Sequence, residues 1–185
     1  MILGGRLRQV PALLINFRFP WGCIIFHFEV PEKFVPYMRH EHVPIDRTNL
    51  TVQEQVVAAW LQGDTDYRNE RLKLIPHVTE GPWVVRRTVA GRPTIVGKKL
   101  PVSYTLQERG VPNSQDAPVL CATLDIGGSD PVAKSIVRLC LRFTASLTCD
   151  IGFCIQGQTP EELPEQMLGA IRVYGPDPQN SPHLR

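Results

Sequence analysis

The chain has 185 residues, of which 43% are apolar and 21% charged, and its 20 basic and 18 acidic side chains leave a net charge of +2. A chain of this length is expected to form one domain that buries about two-thirds of its unfolded surface. The small net charge argues against a dedicated nucleic-acid binder, and no uncharged apolar run approaches the roughly eighteen residues of a membrane span. The five cysteines lie in apolar runs without a C-x-x-C pair, so we expect reduced core residues in a cytosolic compartment.

The N-terminal third predicts a hairpin followed by a helix. Residues 11–19 and 23–30 are rich in branched and aromatic side chains, and the Pro-Trp-Gly between them indicates a turn. A helix is predicted over residues 51–62, because Thr51 and Glu54 have the spacing of a capping box. The charged stretch at 64–73 is interpreted as a solvated turn.

Residues 72–126 predict mainly sheet. Four strands are expected, at 73–80, 82–89, 94–106 and 119–126, and the connections between them favour antiparallel pairing. The intervening polar stretch at 108–118 is interpreted as a long loop.

The segment between Glu80 and Glu108 contains no acidic residue and supplies five cations: Arg86, Arg87, Arg92, Lys98 and Lys99. Such a density of positive charge predicts attraction to phosphates or to an anionic bilayer. The alternative is a solvated sheet edge whose cations discourage edge pairing. In a strand, Arg86 and Arg87 would point to opposite faces, so the five cations would not form one patch.

A long helix is predicted over residues 131–147. Pro131 suits a first helical position, and Val132, Ile136, Cys140, Phe143 and Leu147 recur at the spacing of a buried face. Because apolar residues cover more than half of its circumference, we expect the sheet to enclose this helix. Four of its residues are predicted to line any cavity beside it: Val132, Ile136, Cys140 and Phe143.

The turn before this helix contains Gly127, Gly128 and Ser129. Free N–H groups at a helix N-terminus can bind an anion, so these residues are candidates for a headgroup site. Two glycines and a capping residue are also what a tight strand-to-helix turn requires, and that alternative stays open.

After a further strand at 149–156, the sequence predicts a short helix at 160–168, a last strand at 170–174 and a disordered tail at 176–185. The predicted fold is a single α+β domain over residues 1–175. It has a curved, mostly antiparallel sheet of seven or eight strands wrapped around the 131–147 helix, with two smaller helices. No catalytic residue, metal ligand or cofactor site is predicted, because no nucleophile, acid pair or ligand set has a recognisable spacing.

Several blocks together resemble the C-terminal domain of the plant ENHANCED DISEASE RESISTANCE 2 family, a domain of unknown function. The blocks are an arginine-asparagine turn at 67–71, LIPxxxEGPW at 74–83, a DIG-S turn at 125–129 and EELPE-x-x-LG at 161–169. In larger plant members this domain follows a pleckstrin-homology domain and a lipid-binding START domain. The resemblance therefore implies work at a phosphoinositide-bearing membrane.

The function expected from these observations is a non-catalytic, lipid-binding or membrane-surface module in the cytoplasm, peripheral on endomembranes, with anionic lipid as its partner and no nucleic acid. A structural or adaptor domain that docks a protein partner is the alternative. An enzyme acting on a lipid or acyl substrate is a third hypothesis, which would require polar groups such as His77, Asp125 or Asp150 to converge in a pocket.

Overall fold

A computed structural model describes residues 9–89, 91–108 and 117–176. Most of the predicted 108–118 loop, and the predicted tail beyond Pro176, lie outside the described residues. The strands form two separate four-stranded sheets. Sheet A contains β1 (Ala12–Phe19), β2 (Gly22–Glu29), β5 (Val102–Gln107) and β6 (Val119–Asp125), in the order β2-β1-β6-β5.

Sheet B contains β3 (Leu72–Glu80), β4 (Thr94–Ile95), β7 (Thr148–Ile155) and β8 (Met167–Tyr174), in the order β4-β3-β7-β8. Pairing is antiparallel throughout sheet B and at both ends of sheet A. The central pair of sheet A, β1 and β6, is parallel. The α+β class and the eight strands are therefore confirmed, whereas a single curved sheet is wrong.

Four α-helices lie among the described residues: α1 (Val52–Gln62), α2 (Thr65–Arg71), α3 (Trp83–Val89) and α4 (Pro131–Leu141). Short 3-10 helices occupy 32–37, 96–98, 144–146 and 160–162. The longest helices, α1 and α4, have 11 residues each, so no helix in the described part of the chain can cross a bilayer.

The main core lies where the two sheets and α1 meet. Phe17 and Phe28 of sheet A approach Phe153 of sheet B with ring centroids 6.2 and 5.9 Å apart. Trp60 of α1 is completely buried in the same cluster. Gly169 of β8 allows the sheets to approach closely, because a Cβ at this position would lie 2.3 Å from the Phe28 ring.

The helix at the centre of the fold is therefore α1 and not the predicted 131–147 helix. The capping box of α1 is present, with Glu54 N–H donating to the Thr51 side chain and Thr51 N–H donating to Glu54. The observed α4 ends at Leu141 and lies at the periphery, where Val132 is 70% exposed. The sequence gives α4 enough apolar residues for burial, but only part of that surface is covered.

Four other predictions are corrected. The stretch predicted as one strand at 94–106 contains β4, a 3-10 turn at 96–98 and most of β5, and the two strands belong to different sheets. Residues 83–89 form α3 instead of a strand, and the stretch interpreted as a solvated turn contains α2, capped by the Asp64 carboxylate on Tyr67 N–H at 2.8 Å. The predicted helix at 160–168 is only a 3-10 turn at 160–162, and β8 already begins at Met167.

Candidate functional site

Helix α3 brings two of the predicted cations to the surface. Its first turn is set by Gly81, whose φ of 131° is unfavourable for side-chain-bearing residues, and by Pro82, whose carbonyl accepts N–H groups from Val85 and Arg86. Val85 is completely buried, while Arg86 and Arg87 are exposed. Because the segment is helical, these arginines are about 100° apart around the axis and not on opposite faces of a sheet.

Helix α4 packs against α3, and its apolar face is only partly covered. Leu139, Cys140 and Phe143, at and beyond its C-terminal end, pack with a small core cluster that contains Val85. At the N-terminal end Val132 is solvent-exposed. The apolar stripe of the helix thus continues past the part that the protein covers.

The helix pair, α3 with α4, carries only positive charge. No acidic residue occurs between positions 81 and 107 or between positions 131 and 149. The cations on these two helices and the residue after α4 are Arg86, Arg87, Lys134, Arg138 and Arg142. None of them forms an ion pair with any residue in the described ranges.

Large apolar side chains lie exposed among these cations. On α3, Trp83 is 68% exposed and Val84 36% exposed. On α4, Val132 is the exposed apolar side chain, at 70%. Trp and aliphatic side chains beside arginines also occur on amphipathic helices that bind membrane surfaces.

Two surface hollows flank α3. The apolar groove, of about 380 Å³, runs between the helices and is lined by Thr88, Pro131, Val132, Ser135, Ile136 and Leu139. The polar hollow, of about 620 Å³, lies between α3 and β3 and is lined by His77, Val78, Thr79, Arg86 and Gly91.

The structure separates the predicted cavity-lining residues into two pairs. Val132 and Ile136 line the apolar groove. Cys140 and Phe143 instead pack in the small core cluster, where burial raises the pKa of the Cys140 thiol to about 11. Of the four residues predicted to line a cavity, only the two nearest the N-terminus of α4 therefore line the groove.

The remaining predicted cations lie beyond the helix pair. Arg92 precedes β4, while Lys98 and Lys99 lie in and just after the 3-10 turn that follows it. All three are exposed, and none is ion-paired with a described residue. The structure does not bring them onto the helix pair.

Groups of the protein itself form hydrogen bonds with the glycine turn at 127–129. The Asp125 carboxylate accepts the Gly128 N–H at 3.1 Å and also binds Arg18 at 2.7 Å. The hydrogen bond from Arg18, with those from the Gly128 and Gly127 amides, holds the pKa of Asp125 below its usual value. Ser129 donates its N–H and its hydroxyl to the Ile126 carbonyl. These bonds favour the structural role of Gly127, Gly128 and Ser129 over that of an anion site.

The three polar groups named for an enzyme do not converge. His77 lines the polar hollow. Asp150 is the cross-strand partner of His77 in the β3–β7 pair, but its carboxylate is bound to Arg172. Asp125 belongs to the other sheet and is bound to Arg18. His77, Asp125 and Asp150 therefore do not meet in one pocket.

Two buried arginines were missed, because their segment was interpreted as a solvated turn. Arg68 donates to the carbonyls of Trp60 and Leu61 at the end of α1, and its guanidinium lies 5.2 Å from the Tyr104 ring centroid. Arg71 binds Glu162 at 2.9 Å. The signal in the sequence was Asp64, whose position three residues before Tyr67 is that of a helix cap. Both arginines join elements of the fold and do not face the helix pair.

Comparison with known proteins identifies the domain. The family model described as "Protein ENHANCED DISEASE RESISTANCE 2, C-terminal" matches residues 5–176. A protein from Arabidopsis thaliana named "Protein ENHANCED DISEASE RESISTANCE 2-like" is 40% identical over 114 residues, which are 62% of this chain and 14% of that protein. The chain thus spans a small part of that relative's length. No solved structure matches the chain. The chain belongs to the ENHANCED DISEASE RESISTANCE 2 C-terminal domain family.

Proposed function

We propose that this domain is a non-catalytic module that associates with anionic membrane surfaces through the helix pair. The supporting observation is that two adjacent helices without an acidic residue expose Trp83, Val84 and Val132, together with cations that form no ion pair with a described residue. A solvated surface usually intersperses both signs of charge, so a one-sign surface with exposed apolar side chains suggests a functional contact.

Electrostatic attraction by the cations and insertion of an aromatic side chain would both contribute to the binding free energy. Each Lys or Arg near an anionic leaflet contributes about 1 kcal/mol, so the five cations of the helix pair supply a substantial attraction. Arg92, Lys98 and Lys99 add to the long-range field, although they are not part of the two helices. Trp83 then enters the headgroup region, where an amphipathic ring is most stable.

The finer parts of the proposal come from the family. Phosphoinositides are the anionic lipids that the resemblance implies, and peripheral association with endomembranes from the cytoplasm is the location that it implies. The positive helix pair is compatible with any anionic headgroup, so the lipid class has to be compared directly.

Vesicle co-sedimentation with a charge-reversed variant tests the proposal. The native chain is compared with Arg86→Glu/Arg87→Glu on phosphatidylcholine vesicles with and without phosphatidylserine or a phosphoinositide. We expect the native chain to bind only the anionic vesicles, and the variant to bind at least about tenfold more weakly. The matched control is Arg39→Glu/Arg47→Glu, which changes the charge equally at exposed positions outside the helix pair. Equal binding by the native chain and the Arg86/Arg87 variant would contradict the proposal.

A protein-docking role is the second candidate, and β8 is the observation that favours it. This eight-residue strand lies at the edge of sheet B and exposes Met167 and Tyr174. An edge strand of this length can accept a strand from a partner. Binding of a β-strand peptide with protection of the β8 amides, in the absence of any vesicle binding, would favour this candidate.

A further inference from the structure

We propose that the apolar groove accommodates the acyl chain of one anionic lipid. This inference rests on the proposed function, because it adds a specific lipid site to a surface that attracts anionic lipids. The groove lies between α3 and the N-terminal part of α4, where the described residues leave the apolar stripe of α4 partly uncovered.

The groove wall is apolar in practice, although two of its residues carry hydroxyl groups. Ser135 donates its hydroxyl to the Pro131 carbonyl at 2.8 Å, and Thr88 donates its hydroxyl to the Val84 carbonyl at 2.7 Å. With their hydrogen bonds made inside their own helices, these side chains present methyl and methylene groups to the groove. The remaining lining residues, Pro131, Val132, Ile136 and Leu139, are apolar.

The charge around the groove selects the ligand. Both helices that form it carry only cations, and Arg87 on α3 and Arg138 on α4 are exposed without an ion pair to a described residue. An apolar groove between two helices whose charged residues are all basic complements a molecule with an apolar chain and a negative headgroup. A volume of about 380 Å³ falls near the lower end of the ~300–1,000 Å³ range of small-molecule sites, which suits one chain better than two.

The first test uses lauroyl lysophosphatidate below its critical micelle concentration, titrated into the native chain by calorimetry. We expect one equivalent to bind, uncharged monolaurin to bind at least tenfold more weakly, and affinity to rise about fourfold for each added methylene until the groove is filled. Ser135→Phe places a ring in the groove and should weaken binding by tenfold or more. Ser103→Phe makes the same change at an exposed position on β5 and is the matched control.

A second measurement needs no variant. A fatty acid with a diazirine near its terminal methyl group is photolysed with the native chain, and cross-linked peptides are identified by mass spectrometry. We expect cross-links within 84–88 and 131–139, and cross-links elsewhere would overturn the groove as the site. If the native chain binds anionic vesicles but not the monomeric lysolipid, the groove inference fails and the surface function stands. If it binds the monomer but not vesicles, the surface function fails and the groove stands.

Discussion

Arg71 and Glu162, 91 positions apart in the sequence, form an ion pair with 2.9 Å between Nη1 and Oε2. Arg71 is buried, its guanidinium lies 4.5 Å from the Tyr67 ring centroid, and it also donates to Gln158. Lys73 binds Glu165 in the same region. Two of the blocks on which the family resemblance was based, at 67–71 and 161–169, are therefore in direct contact.

The first prediction concerns this ion pair. Burial opposes ionisation of Glu162, but hydrogen bonds from Gln158 N–H and Arg71 outweigh it and hold the pKa of Glu162 below its ordinary value of 4.5. Glu162→Gln should lower the free energy of unfolding by about 2 kcal/mol at neutral pH. Because the folded-state pKa is depressed, the contribution of Glu162 is complete above pH 4.5 and is lost as the pH falls through the folded value.

Urea unfolding at several pH values checks this prediction. The difference between the native chain and Glu162→Gln should be constant near neutral pH and shrink below pH 4.5. Glu161→Gln, at the exposed neighbouring position, should change stability by no more than about 0.5 kcal/mol. If the difference in unfolding free energy between the native chain and Glu162→Gln grows as the pH is lowered, the stabilising role of ionised Glu162 is contradicted.

The second prediction concerns the contact between Gly97 and α2. A Cβ at position 97 would lie 2.5 Å from the Asn69 Cβ and 2.7 Å from its Cα and carbonyl oxygen. Since these atoms belong largely to the backbone of a helix, no side-chain rotation relieves the overlap. Gly97→Ala should therefore cost about 1–3 kcal/mol in thermal or urea unfolding. Gly22→Ala, where nothing lies within 4 Å, is the control, and equal stability of the two variants would refute the packing argument.

The third prediction concerns thiol reactivity. Burial raises the pKa of Cys140 and of Cys154 to about 11 each, whereas Cys23 is exposed. At pH 8 only about one in a thousand of the buried thiols would be thiolate, which is the reactive form. In the native chain, iodoacetamide should alkylate Cys23 well before Cys140 or Cys154, and urea should remove the difference. Early labelling of Cys140, read by peptide mass spectrometry, would show that the small core cluster is open.

How far the sequence predicts this fold can be judged from α1, α3 and α4. The capping box at Thr51 and Glu54 fixed α1 correctly because capping is a local interaction. Residues 82–89 were assigned to a strand because valines favour sheet, yet Val85 and Val89 have the i, i+4 spacing by which α3 packs. The position of α4 depends on contacts between distant segments, and a broad apolar face cannot reveal which part of it stays uncovered.

In the candidate site, too, the local features could be predicted from the sequence and the long-range contacts could not. The acid-free basic segment could be read directly from the sequence, as could the apolar residues of α4. Their combination on one helix pair could not, because it depends on α3 being a helix and packing against α4. The parallel pairing of β1 and β6, which are separated by about a hundred residues, likewise has no local signal.

The fourth prediction separates the two contributions to membrane binding. Trp83→Ala should weaken binding to anionic vesicles by about tenfold while keeping its dependence on salt, because the ring adds apolar burial and no charge. Binding of the native chain should fall steeply as the salt concentration is raised to about 1 M, where the Debye length is about 3 Å. Trp21→Ala is the matched control, since Trp21 is also exposed but lies at the β1–β2 turn, stacked on Phe19. Equal losses for both variants would argue against a contact specific to α3.

Hydrogen–deuterium exchange with and without phosphatidylserine-containing vesicles tests most directly whether the helix pair is the membrane-binding surface. The method reports on every peptide of the native chain and does not depend on any substitution. We predict that added vesicles slow exchange in residues 83–89 and 131–141, and leave β8, an edge strand of sheet B, unchanged. Slower exchange confined to Met167–Tyr174, or no change in either helix at saturating vesicle concentration, would contradict the proposal.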